Sequence, residues 1–310
     1  MGKYYKDLES CHQRIEQYIH RTPVMSSTLL NEMAGCHLYF KCENFQKGGA
    51  YKMRGALNAI LQLTDEQKAK GVTTHSSGNF AQAVTLAARS LNIPAYIVMP
   101  SSAPSVKVAA VKGYGGNVII CGPTLKDREA MSDKIISETG ATFLHPSNDL
   151  NVIIGQGTAA YELLQDHPDL DAIITPVGGG GLIAGTCIAA DGKQDVYGGE
   201  PYAVDDAYRS LKSGKIESNE TTDTIADGLK TQLGDINFPI IRECVKEIIR
   251  VTEEEIVDAM KLVWERMKII IEPSSAVTFA ACLSSKETFK NKKVGIIISG
   301  GNVDLSQLPF

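Results

Sequence analysis

Long hydrophobic runs are missing from this chain. None reaches the roughly 20 residues that a membrane-spanning helix requires, and the N-terminal Met1-Gly2-Lys3-Tyr4-Tyr5-Lys6 carries no apolar signal core. Position 6 is a lysine where the myristoylation pattern wants serine or threonine. Cytoplasmic residence is the expectation. Cysteine is unpatterned: seven residues, at 11, 36, 42, 121, 187, 244 and 282, form no Cys-x-x-Cys pair. That excludes a disulfide framework and a zinc cluster as organising features and fits a reducing compartment. Neither sign of charge clusters. Lys+Arg number 31 against 36 Asp+Glu, a net charge of −5, so no surface for nucleic acid or anionic membrane is indicated and a small-molecule partner is. What the 310 residues do contain, at 43% hydrophobic, is material for roughly two buried cores.

The apolar pattern alternates between helical and strand periods. Residues 4–18 and 27–33 read as helices, the first ended by Arg21-Thr22-Pro23. A strand at 37–42 and a helix at 53–63 follow. The chain then alternates: strand 72–75, helix 80–90, strand 95–99, helix 105–111, strand 117–121, helix 125–138 and strand 142–144. Beyond His145-Pro146-Ser147-Asn148, a helix at 156–164 and strands at 172–176 and 195–199 open a second segment, and 206–233 reads as mostly loop. Thr252 with Glu255 forms a capping box for a helix to 267, Glu272-Pro273 opens another, and 293–299 is a closing strand. Such alternation implies an α/β fold of two doubly wound open twisted sheets with right-handed crossovers. The expected division is a small domain at 71–146 inserted into a larger one made of 1–70 and 147–310. The ligand belongs in the crevice outside the carboxyl ends of the strands.

The chemistry concentrates in glycine-containing turns. In Lys47-Gly48-Gly49-Ala50-Tyr51-Lys52-Met53-Arg54-Gly55-Ala56, Lys52 sits where a turn meets a helix N-terminus. The aligned peptide dipoles there disfavour a second cation, so the ammonium should release its proton and leave a nucleophilic amine. A solvated lysine at a helix start is the competing reading. Gly178, Gly179, Gly180 and Gly181 lie between an apolar strand and Leu182-Ile183-Ala184, where their amides can converge on one phosphate. The same run also matches Gly-x-Gly-x-x-Ala at Gly179, Gly181 and Ala184, with Glu200 about 20 residues on as a ribose-binding acid. A plain tight turn is the third reading. By itself Ser299 reads as a helix cap after a buried strand, and Arg128 as an exposed helical arginine.

Taken together and in order, the Lys52 stretch, Ser76-Ser77-Gly78-Asn79, the tetraglycine run and Ser299-Gly300-Gly301-Asn302-Val303-Asp304 resemble the serine racemase and serine/threonine dehydratase family. The resemblance covers essentially the whole chain. It implies a fold-type II, tryptophan synthase β-like enzyme with pyridoxal 5'-phosphate. The activity implied is interconversion of L- and D-serine, with β-elimination of serine or threonine to a 2-oxoacid and ammonia. A dehydratase of threo-3-hydroxyaspartate, threonine or serine without racemisation is the alternative. A non-catalytic binding protein and a nicotinamide enzyme are the readings from other classes.

In this resemblance Lys52 binds the cofactor aldehyde beside Tyr51, and Gly178 to Gly181 cradle the phosphate, with Gly228 also at the cofactor. Asn79 contacts the ring hydroxyl and Ser299 faces the pyridine nitrogen, a neutral partner that disfavours transamination. Inversion takes two positioned groups, because a single base returns the proton to the face it left. The resemblance makes Lys52 one and Ser77 the other, a position where threonine dehydratases commonly carry alanine. Ser76, Ser77, Asn79, Arg128 and Ser147 correspond to the substrate pocket. Glu200, the Val204 carbonyl and Asp206 correspond to a divalent-cation site suited to Mg2+ or Ca2+, a stretch that otherwise reads as an acidic surface turn. Ser26, Ser27, Lys47 and Gly48 fall where mammalian serine racemases hold a nucleotide at the dimer interface, so ATP is a candidate activator and a homodimer the expected assembly.

The sequence departs from the pattern at Phe80, where histidine is usual, and at Gly49, near a position often occupied by serine. Both make the expected pocket less polar. The connection from Leu182 to Glu200 also looks a few residues short.

Overall fold

The computed structural model describes residues 2–103 and 105–310, so Met1, where the larger expected domain begins, lies outside it. Aliphatic and β-branched runs form β1 (Val24–Met25), β2 (His37–Cys42), β3 (Val72–His75), β4 (Ala95–Pro100), β5 (Asn117–Cys121), β6 (Thr142–Phe143), β7 (Ala172–Pro176), β8 (Asp195–Pro201), β9 (Val245–Val251) and β10 (Lys293–Ile298). They make a six-stranded sheet of order β1-β2-β10-β7-β8-β9 and a four-stranded sheet of order β5-β4-β3-β6. Only β1 runs antiparallel to its neighbour. β7 is buried along its whole length, as befits a parallel strand covered by helices on both faces. Because the strands are parallel, the turns after β2, β3, β6, β7 and β10 gather at one end of their sheets.

The helix Lys52–Leu61 carries the candidate lysine, and the helix Leu150–Asp166 crosses it. A Cβ at Gly155 would stand 2.7 Å from Gly55 Cα and 2.6 Å from Arg54 O, so only glycine permits this backbone approach. The second helix begins earlier than the 156 expected. Asp149 caps it, its carboxylate accepting the Asn151 and Val152 amides at 2.8 and 3.2 Å. Gly155 and Gly157 weaken the local helical signal, and tertiary packing overrides it. Residues 206–233 are not mostly loop at their start, since Asp206–Ser213 is helical. The helix Asn237–Cys244 and β9 also escaped the periodicity reading; β9 opens at the sheet edge with exposed Lys246 and Glu247.

A buried ionic cluster fixes the Lys52 helix from behind. Arg54 donates to Glu43 at 2.7 and 2.8 Å and to Glu162 at 2.8 and 2.8 Å. Lys41 Nζ donates to Glu162 at 2.6 Å and to the Thr22 carbonyl at 2.8 Å. Lys41, Glu43, Arg54 and Glu162 are all buried. Burial alone would raise the Glu162 carboxyl, but the His12 hydrogen bond and the Arg54 and Lys41 charges hold it well below the usual carboxylate range. Removing one partner from such a set leaves a buried charge uncompensated. Arg54→Met is therefore expected to lower unfolding free energy in urea by about 3–5 kcal/mol; a loss under about 1 kcal/mol, the range of exposed ion pairs, would refute the cluster's structural role.

Candidate active site

Lys52 is the first residue of its helix, as the sequence suggested. Its Nζ donates to the Pro146 carbonyl at 2.8 Å. The Tyr51 ring centroid lies 4.9 Å from Nζ and that of Phe80 5.7 Å. Burial pushes the ammonium down to about 7, against an opposing pull from Glu272. The low value was expected from the helix dipole; its main cause is instead removal from water. The turn holding the lysine is laced to the segment that follows β10. The Tyr51 amide donates to Ser299 O at 3.0 Å, the Gly301 amide to Gly49 O at 2.9 Å, and Ala50 bridges Gly300.

After β7 the chain turns through Gly178 to Gly181 into the wholly buried helix Gly181–Ala190. Gly180 has φ +81°, and a Cβ there would meet Asn237 Oδ1 at 2.7 Å, so conformation and space both demand glycine. A Cβ at Gly179 would overlap Ser147 Oγ and approach Thr231 Oγ1 at 3.1 Å. Among the described residues, no loop or side-chain acceptor takes the amides of Gly178, Gly179 and Gly180. Asn237 Nδ2 staples the turn to the segment after β6, donating to Gly179 O at 2.8 Å and Ser147 O at 3.0 Å. Unpaired amides at a helix N-terminus make an anion cradle. Gly228 packs its carbonyl against Gly178, while its amide donates to Ser274 Oγ at 3.0 Å.

Hydrogen-bonded polar side chains adjoin the lysine turn. Ser299 Oγ is 2.9 Å from Ser275 Oγ, both buried. Asn79 Nδ2 donates to both oxygens of Glu272, at 2.9 and 3.1 Å, and its Oδ1 accepts from Asn302 at 3.0 Å. Burial first, and then the Asp227 charge, push Glu272 up to about 7. Gly49 has φ +72° and a Cβ there would meet Asn302 Oδ1 at 2.5 Å, which accounts for a glycine at this position. Phe80 is buried and serves as a wall of the amine pocket.

The family of pyridoxal-phosphate dependent enzymes matches residues 15–300. The chain belongs to it. It is 54% identical to the serine racemase of Dictyostelium discoideum over 98% of this chain and 96% of that one. It is 47% identical to the β-hydroxyaspartate dehydratase of Paracoccus denitrificans, covering 99% and 98%. The crystal structure of the Dictyostelium serine racemase superimposes with a TM-score of 0.93 at 54% identity, covering 97% of this chain and 99% of that one.

The site fits the family cofactor on its own chemistry. A half-buried amine that gives up its proton near neutrality suits an aldehyde, and a cradle of glycine amides closed to any Cβ suits its phosphate. The nicotinamide reading fails at Glu200: the carboxylate is buried and its oxygens accept the Ala207 and Tyr208 amides at 3.0 and 2.9 Å, so it caps a helix rather than facing a ribose.

The small-sheet residues of this pyridoxal-phosphate enzyme follow β3, β5 and β6. Ser76 Oγ accepts the Gly78 amide at 3.3 Å. Ser77 is half-buried and its hydroxyl has no protein partner among the described residues. His145 Nδ1 accepts the Ser147 and Asn148 amides at 3.2 and 2.8 Å, and burial pushes this imidazole down to about 4. Arg128 is half-buried and its Nε is enclosed without a partner, unlike the exposed arginine of the simpler reading.

Glu200 and Val204 are 0% exposed, as is Asp206. Burial and the neighbouring Asp206 raise Glu200, and burial raises Asp206 to about 6. Asp206 accepts from Asn219 at 2.5 Å and from the Leu233 amide at 3.2 Å. No third acid, histidine or cysteine joins them among the described residues. Ser27 Oγ caps the helix Thr28–Ala34, accepting the Leu30 amide at 3.5 Å, Ser26 Oγ accepts from Asn31 at 3.4 Å, and Lys47 is half-buried. Glu272, Ser275, Asn302, Asn237 and Thr231 escaped the sequence reading. Glu272 carried a local signal, since it precedes Pro273 at a helix start, and Asn302 lay within the motif at 299–304 without a role assigned to it.

Proposed function

We propose that this protein interconverts L- and D-serine with pyridoxal phosphate and also eliminates water from serine or threonine, releasing a 2-oxoacid and ammonia. What carries it is the Lys52 amine, which burial frees of its proton near neutral pH, and the Ser77 hydroxyl, unpartnered among the described residues, supports it as the second group. The likeness to serine racemases supports it. Lys52 would hold the cofactor aldehyde, Gly178 to Gly181 its phosphate, Asn79 its ring hydroxyl and Ser299 its ring nitrogen, with Tyr51 and Gly228 alongside. When bound, the cofactor withdraws electrons from the amino acid's α-carbon and acidifies its proton. Lys52 then takes or returns that proton on one face and Ser77 on the other. Retention of the β-hydroxyl gives inversion; its loss as water gives elimination.

In the same reading Ser76, Asn79, Arg128 and Ser147 line the substrate pocket, and residues 71–146 form a small domain that closes over 1–70 and 147–310. Mg2+ or Ca2+ binds between Glu200, the Val204 carbonyl and Asp206, supported by two buried carboxylates, of which Glu200 is raised by burial and by Asp206 and Asp206 by burial. ATP binds near Ser26, Ser27 and Lys47 of a cytoplasmic homodimer, on family likeness alone. Incubating the protein with L-serine and following D-serine and pyruvate together tests the proposal; formation of neither product would sink it.

One observation favours a second reading, a hydroxyaspartate dehydratase. A substrate with a second carboxylate would satisfy the enclosed Arg128 Nε. On that reading Arg128→Leu lowers kcat/KM for threo-3-hydroxyaspartate by roughly 10- to 100-fold, the worth of a charged hydrogen bond, and leaves serine turnover near wild type. Equal effects on both substrates would reject it.

A further inference from the structure

The Pro146 carbonyl accepts two hydrogen bonds at once, from Lys52 Nζ at 2.8 Å and from Gln156 Nε2 at 3.0 Å. Gln156 is 0% exposed and is wedged among the three parts of the site. A Cβ at Gly55, in the Lys52 helix, would come 3.0 Å from its Cγ, and a Cβ at Gly181 would overlap its Oε1. Neither neighbour has a side chain, and that is what admits one of this length. Only the amide's NH2 group can face the Pro146 oxygen. Its Oε1 therefore faces Gly181, where it has no hydrogen-bond partner among the described residues.

We propose that Gln156 is a positioning residue: by sharing the Pro146 carbonyl with Lys52 it weakens that oxygen's hold on the ammonium and keeps the amine free and registered against the tetraglycine turn. The inference rests on the reading that Lys52 carries the cofactor. A carbonyl oxygen has two lone pairs, and Gln156 occupies one. The positive end of its N–H dipole also points at the atom beside Nζ. Both effects disfavour the charged form of Lys52, in the same direction as the burial that lowers it. Loss of the N–H would leave the whole oxygen to the ammonium, which would then keep its proton to higher pH.

Gln156→Met tests this, since methionine preserves length and packing and has no N–H. In full-length protein freed of cofactor with hydroxylamine, trace acetic anhydride labelling across pH, read by peptide mass spectrometry, measures the free-amine fraction at Lys52. The expected result is a midpoint about one unit higher, so that below both midpoints the variant holds about tenfold less free amine. A midpoint unchanged or lowered, in a variant with a wild-type circular dichroism spectrum, overturns the proposal; a purely structural role would change stability and leave the midpoint in place. Should Gln156→Met fail to fold, Gln156→Leu carries the same measurement. Borohydride fixation of the wild-type cofactor separates the two levels. Label on another lysine defeats the Lys52 reading and this inference with it, whereas label on Lys52 with an unmoved midpoint defeats the inference alone.

Discussion

Lys52→Ala is expected to lower racemisation and elimination together by about 10^3- to 10^6-fold, the range seen when an essential base or nucleophile is removed. Both outcomes begin with loss of the same α-proton, so neither should survive preferentially. Borohydride reduction should no longer attach the cofactor to the peptide that spans position 52. The sign of the pH dependence follows from the local environment. Because burial pushes the ammonium down to about 7, the free amine prevails above that pH, and wild-type turnover should rise through about 7. An ordinary lysine would place that rise above 10. A variant that retained turnover within tenfold of wild type, or a cofactor fixed to a different lysine, would rule out Lys52 as the reacting group.

The second large effect separates racemisation from elimination. In Ser77→Ala, D-serine formation from L-serine should fall by about 10^2- to 10^4-fold, the contribution of one positioned acid or base, while pyruvate formation changes by less than about tenfold. Lys52 still removes the proton from its own face and the β-hydroxyl can still leave; what is missing is a donor on the other face. Ser77 is half-buried without a protein hydrogen bond, so the methyl replacement strands no partner and little change in stability is expected. Equal losses in both products, or racemisation unaffected, would show that Ser77 is not the second group.

Much of the α/β architecture was legible because its causes are local. Strands such as Val72-Thr73-Thr74-His75 and helices such as 125–139 declare themselves by period, capping residues and branching. The tetraglycine turn and the lysine turn were legible because glycine at special φ and a lysine at a helix start are rare enough to be read. The misses have a common physical cause. The helix Leu150–Asp166 hides its first turns because Gly155 is chosen for contact with Gly55, not for helix propensity. Glu272 gives no hint in sequence that it will meet Asn79, 193 positions earlier, and the same holds for Asn237 beneath Gly179.

By itself the sequence determined the alternation of strands and helices, the lysine turn and the tetraglycine turn that each open a helix, and the lack of any run long enough for a membrane-spanning helix. Each depends on residues within one turn or one element of each other. Tertiary structure alone decided why the amine loses its proton, which carbonyl it faces, and what holds Asn79 and the glycine turn in place. Those depend on water being excluded and on groups from distant elements arriving within about 3 Å, the reach of a hydrogen bond, and no local pattern encodes that distance.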